Sequence, residues 1–179
     1  MQPYRPLQID QLEEIQYEAL KRIPTDLLDK TTLTYIENNR EIFSGIPALR
    51  QYLLQSKIYS HVGPIAVNIT LGKDSGNHHV DNGIFQYSLN IPVMGCDNTW
   101  INFYETLSEP KVMAVKNKGE THNFLKFNPE ECNLILSEET KSPYLLHVKT
   151  PHRVENRSDN IRVMLLLRLY PSFNPGALT

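Results

Sequence analysis

Phe85-Gln86-Tyr87-Ser88-Leu89-Asn90-Ile91 sets an apolar side chain against a polar one at every step. Successive residues of a strand point to opposite faces, so this run reads as a strand with one face on a core. Further strand candidates follow at roughly ten-residue spacing: Trp100–Glu105, Lys111–Lys116, Asn123–Phe127, Asn133–Leu136, Tyr144–Val148 and Ile161–Tyr170. Ile65–Thr70, short and β-branched, precedes them. About eight strands joined by turn-rich connections indicate an antiparallel sandwich or barrel. The expected class is mainly β, an eight-stranded jelly roll with N-terminal helices packed outside one sheet.

Two helices are expected before residue 60. Asp10-x-x-Glu13 is a capping-box variant that opens a helix bearing Leu12, Ile15 and Ala19 on one face, and Pro24 closes it. Pro47 fits the first turn of a second helix, reaching to about Ser56, with Leu49, Tyr52 and Leu53 together. Both are amphipathic and need a flat apolar partner. The 179 residues fit one domain, with helical support over 1–60 and a β core over 64–170.

A net charge of −2 speaks against a phosphate-tracking surface and hence against nucleic acid as a partner. The chain has no eighteen-residue apolar run, and Cys96 and Cys132 form no C-x-x-C pair. A soluble cytoplasmic protein with reduced, buried thiols is expected. Oligomeric state leaves no trace in the sequence.

The chemistry-bearing stretch is His79-Val80-Asp81. Residues i and i+2 of a strand share a face, roughly 6.5 Å apart, so imidazole and carboxylate can converge on one ion given a slight bend. The tight-turn pair Asn82-Gly83 supplies a place for that bend. His152, from a distant strand, would complete one face of an octahedron and leave three adjacent positions open, the layout of non-haem Fe(II) oxygenases. Zinc in a structural site would need a fourth protein ligand, and the sequence offers no candidate. His78 should point away from Asp81. His147 is a rival to His152, but it lies mid-strand with Lys149 on its face. His61 and His122 read as surface or core residues.

In Ile161–Tyr170, Arg162, Met164, Leu166 and Arg168 share one face, and Val163, Leu165, Leu167 and Leu169 the other. The apolar face suits the helices, which leaves the arginine face lining the barrel. A buried guanidinium requires an anion, and its planar fork suits a carboxylate. A ligand carboxylate is expected at Arg162. For Arg168 a structural ion pair with Glu105 or Asp97, or an escape to water at the strand end, is expected.

These residues resemble the iron(II)- and 2-oxoglutarate-dependent dioxygenase superfamily. The likeness covers about residues 64–170 and rests on His79-Val80-Asp81, Pro151-His152-Arg153-Val154-Glu155-Asn156, and Arg162 ten residues past His152. The distal segment is similar to aspartyl/asparaginyl β-hydroxylase-like members, whereas Asp81 follows the prolyl-hydroxylase-like and phytanoyl-like branches. The resemblance implies a double-stranded β-helix in which His79, Asp81 and His152 hold Fe(II) and Arg162 binds the distal carboxylate of 2-oxoglutarate. It implies O2-dependent hydroxylation of a small-molecule or protein substrate. Asn90 and Tyr104 are candidates for contact with the cosubstrate. Tyr87, Trp100 and Phe103 read as core, or as walls of the pocket. The alternatives are a jelly-roll binding or structural module that retains a metal site, and a cupin-like enzyme independent of 2-oxoglutarate.

Overall fold

The computed structural model describes residues 2–28, 34–36, 40–81, 83–117 and 120–178. Pro24 pushes Ile23 out of the helical region, to φ −84° and ψ 122°, and so ends α1 (Leu12–Arg22). The expected Asp10 cap is not made: Gln11 is the N-cap and offers no side-chain hydrogen bond. Burial of Ile15 and Ala19 holds α1 in place, helped by Glu13 and Glu14 at its start and Lys21 and Arg22 at its end. Two short helices, α2 (Thr25–Leu28) and α3 (Arg40–Ser44), lead to α4 (Pro47–Gln55), which begins on its proline as expected.

Among the described residues, twelve strands follow the chain as β1 (Tyr4–Pro6), β2 (Thr34–Ile36), β3 (Val62–Thr70), β4 (His79–Asp81), β5 (Tyr87–Met94), β6 (Thr99–Thr106), β7 (Lys111–Asn117), β8 (Glu120–Lys126), β9 (Cys132–Glu139), β10 (Tyr144–His147), β11 (His152–Asn156) and β12 (Arg162–Leu169). They make two antiparallel sheets, ordered β1-β10-β5-β12-β3-β2 and β7-β8-β4-β11-β6-β9. From β3 to β6, and again from β9 to β12, each strand crosses to the opposite sheet. This is the winding of a double-stranded β-helix, four core strands to a sheet. The β7–β8 hairpin extends the second sheet beyond β4, and β1 and β2 flank the first.

The expected strands all form, but β7 and β8 belong to the hairpin rather than to the eight core strands. The two core strands the periodicity passed over, β4 and β11, are short and place His79, Asp81, His152 and Asn156 on their inward faces.

The larger core lies between the helices and the first sheet, where Val163, Leu165, Leu167 and Leu169 of β12 meet Ile15, Ala19, Leu49 and Leu53. The other face of β12 sends Met164 between the sheets, to Ile101, Phe103, Tyr144 and Leu146. Gly95, at φ +62°, allows β5 to close on β12: a Cβ there would sit 2.0 Å from Ile161 O. Asn156 ties the β11–β12 turn to the end of β3, its Nδ2 donating to Leu71 O at 2.9 Å and Asn160 O at 2.8 Å. Both contacts set the start of β12, where Arg162 stands. Among the described residues, no helix is long and apolar enough to cross a membrane.

Candidate metal and anion site

β4 and β11 are neighbours in the second sheet, and their register places His79 opposite His152. Asp81 follows two residues on, toward the same face. One donor atom from each of the three lies within 4.8 Å of the others. His79 Nε2 is 3.5 Å from Asp81 Oδ1, and the two imidazole centroids are 4.5 Å apart. Asn82 lies outside the described residues; Gly83 after it has φ +116°.

The tautomers are set by backbone two residues upstream. His79 Nδ1 lies 2.8 Å from Asn77 O, and His152 Nδ1 lies 2.8 Å from Thr150 O. A carbonyl only accepts, so each Nδ1 carries the proton and each Nε2 keeps its lone pair for ligation. Burial, with the His79 ring beside it, pushes His152 down to about 4. It is therefore neutral at ordinary pH, as a ligand must be.

Burial alone would raise the Asp81 carboxyl, but the Arg168 guanidinium and then the His79 ring reverse this, holding it well below the usual carboxylate range. Arg168 Nη1 pairs directly with Asp81 Oδ2. Lys149 Nζ donates to Asp81 O at 2.7 Å and Gly83 O at 2.8 Å, pinning the backbone as it leaves β4.

The donor set suits a divalent transition metal. Two imidazoles and an ionised carboxylate fit iron, and among the described residues the cluster has no fourth His, Cys, Asp or Glu to close its shell.

Deeper between the sheets lies a second polar group. Arg162 is 1% exposed, and its Nη1 donates to Asn68 Oδ1 at 2.6 Å. Its Nε is buried without a partner, and no carboxylate pairs with it among the described residues. Tyr144 Oη is likewise buried with no well-formed hydrogen bond, although Asn90 and Arg162 lie beside it. Asn90 is opposite Tyr144 in the sheet and accepts from Ser88 Oγ at 2.6 Å. Orphaned donors around a buried cation make a cradle for an anion.

Of the six residues singled out in the sequence, His79, Asp81 and His152 converge, and Arg162 and Asn90 share the neighbouring interior. Tyr104 does not join them. Its ring meets His78 at 4.4 Å, beside Arg153 and Glu155, on the side of the second sheet away from His152. Phe103, one residue earlier, takes the inward position, 6.3 Å from the His152 ring. Tyr87 packs in the core under the helices, and Trp100 carries Arg157 over its ring at 4.9 Å.

The rival histidines lie elsewhere. His147 Nδ1 is 2.9 Å from Thr150 Oγ1, His61 Nδ1 is 3.0 Å from Ser172 Oγ, and the side chain of His122 lies outside the described residues.

Sequence reasoning missed Tyr144 and Asn68, and it paired Arg168 with the wrong acids: Asp81, not Glu105 or Asp97, is its partner. Asn68 left a trace, as a lone amide in the apolar run Ile65–Ile69. Tyr144 left none.

No family model matches the chain, and no curated protein does. Solved structures do. The non-heme alpha-ketoglutarate-dependent carbocyclase SnoK from nogalamycin biosynthesis superposes with a TM-score of 0.57 at 11% identity, covering 94% of this chain and 80% of SnoK. The chain carries a double-stranded β-helix. E. coli YcfD shares this β-helix at a TM-score of 0.51 and 12% identity, over 87% of this chain and 38% of its own. A Pseudomonas putida prolyl-4-hydroxylase gives 0.49 and 10%, over 94% of this chain and 92% of its own. At these identities the likeness is one of fold, and a double-stranded β-helix by itself hosts many activities.

Proposed function

We propose that the protein is an Fe(II)- and 2-oxoglutarate-dependent oxygenase that hydroxylates a C–H bond of a small-molecule or peptide substrate. One observation carries this reading: a three-donor cluster and a buried guanidinium with an unpartnered Nε, and no carboxylate partner among the described residues, occupy the same barrel interior. The fold shared with SnoK, a non-heme alpha-ketoglutarate-dependent enzyme, supports it. His79 Nε2, His152 Nε2 and Asp81 Oδ1 would hold the metal, and three adjacent positions would stay free. Arg162 would take the distal carboxylate of the cosubstrate, with Tyr144 donating to it and Asn90 beside. The iron–2-oxoglutarate pair, when bound, supplies O2-dependent oxidation coupled to conversion of 2-oxoglutarate to succinate and carbon dioxide. The chain's own part is geometry: it orients three donors, neutralises the cosubstrate's charge and keeps water from the interior with Phe103, Met164 and Leu146.

Anaerobic addition of Fe(II) and 2-oxoglutarate should produce a weak visible charge-transfer band, lost in His79→Ala and in Arg162→Ala. Turnover of 2-oxoglutarate to succinate without a prime substrate should accompany it. Correctly folded protein giving neither signal would favour a binding module or a cupin-like enzyme instead.

A further inference from the structure

Arg168 stands on β12 in the first sheet, opposite Ser88, whereas Asp81 stands on β4 in the second. Their ion pair therefore joins the two sheets beside the triad, with side chains 13% and 12% exposed. The two oxygens of Asp81 have separate surroundings. Oδ2 meets Arg168, while Oδ1 faces His79 Nε2 at 3.5 Å. A carboxylate free to turn can give a metal both oxygens, and each extra protein oxygen removes an open position. With Oδ2 held, three positions stay open, the number required by a two-donor cosubstrate and one oxygen molecule.

From this we infer that Arg168 is a positioning residue: it makes Asp81 a one-oxygen ligand, and its charge weakens the site's hold on a bare divalent ion. The inference rests on the metal-site reading above. Two positive centres sharing one carboxylate repel, and water-like screening across that width still leaves on the order of a tenfold effect on binding. Orientation of one short side chain contributes less than this, so charge decides the direction.

The test is a Co(II) titration of the full chain followed by its visible bands, with no cosubstrate present. Arg168→Gln should bind Co(II) about tenfold more tightly or better, with altered bands as the second oxygen enters the shell. Arg168→Lys keeps the charge without the planar fork, so its affinity should stay within about threefold of the parent while its bands shift. Unchanged or weaker binding by Arg168→Gln, folded by circular dichroism, overturns the proposal. If that variant does not fold, Arg168→Lys decides, and the parent's bands in it overturn the proposal. A parent chain that takes up no Co(II) overturns the metal-centre reading and this inference together. Normal uptake with unaltered variants overturns this inference alone.

Discussion

Replacing Arg162 with Met separates a binding arginine from a structural one. Among the described residues this guanidinium, 1% exposed, donates to the neutral amide of Asn68 and leaves its Nε orphaned. An effective burial penalty of several kcal/mol is offset by roughly 1.5–3 kcal/mol from a hydrogen bond involving a charged group. Methionine fills similar space with no charge to desolvate. The ligand-free Arg162→Met protein should therefore be more stable by about 1–3 kcal/mol, which for a chain of this size raises Tm by roughly 2–4 °C per kcal/mol. With Mn(II) present throughout, 2-oxoglutarate at a hundred times Kd should add about 2.7 kcal/mol to the parent and nothing to the variant. Thermal unfolding with chelator, then with Mn(II), then with Mn(II) and 2-oxoglutarate, reads the two effects. A variant destabilised by about 2 kcal/mol or more, or one still stabilised by 2-oxoglutarate, would show that Arg162 serves the fold and refute the reasoning.

Three further outcomes are expected. Tyr144→Phe removes a buried hydroxyl that makes no well-formed hydrogen bond, so ligand-free stability should hold or rise while calorimetry shows 2-oxoglutarate binding weakened about 10–100-fold. His152, neutral in the fold down to about 4, resists a proton that the unfolded chain accepts below about 6.5; metal-free stability should fall by roughly 2–3 kcal/mol as pH drops through that window, and His152→Gln should flatten the dependence in urea titrations. Gly95→Ala places a Cβ 2.0 Å from Ile161 O at φ +62°, and should cost at least about 2 kcal/mol in urea unfolding.

The sequence alone determined the elements whose burial writes a period. The alternation of β5, the two-faced pattern of β12 and the proline-bounded helices are legible because one face of each meets a core. It also pointed to the ligand set, since His79 and Asp81 stand at strand spacing and few other histidines compete.

Tertiary structure decided the rest. β4 and β11 write no apolar period, because their inward positions are His79, Asp81 and His152. The periodicity therefore filled the count of eight with a hairpin that only extends a sheet. Which arginine meets the Asp81 carboxylate depended on how two sheets face one another across the barrel, and sequence distance carries no record of that. Tyr144 joined Arg162 for the same reason: β10 and β12 both flank β5, and only that order puts a phenol from one beside a guanidinium from the other.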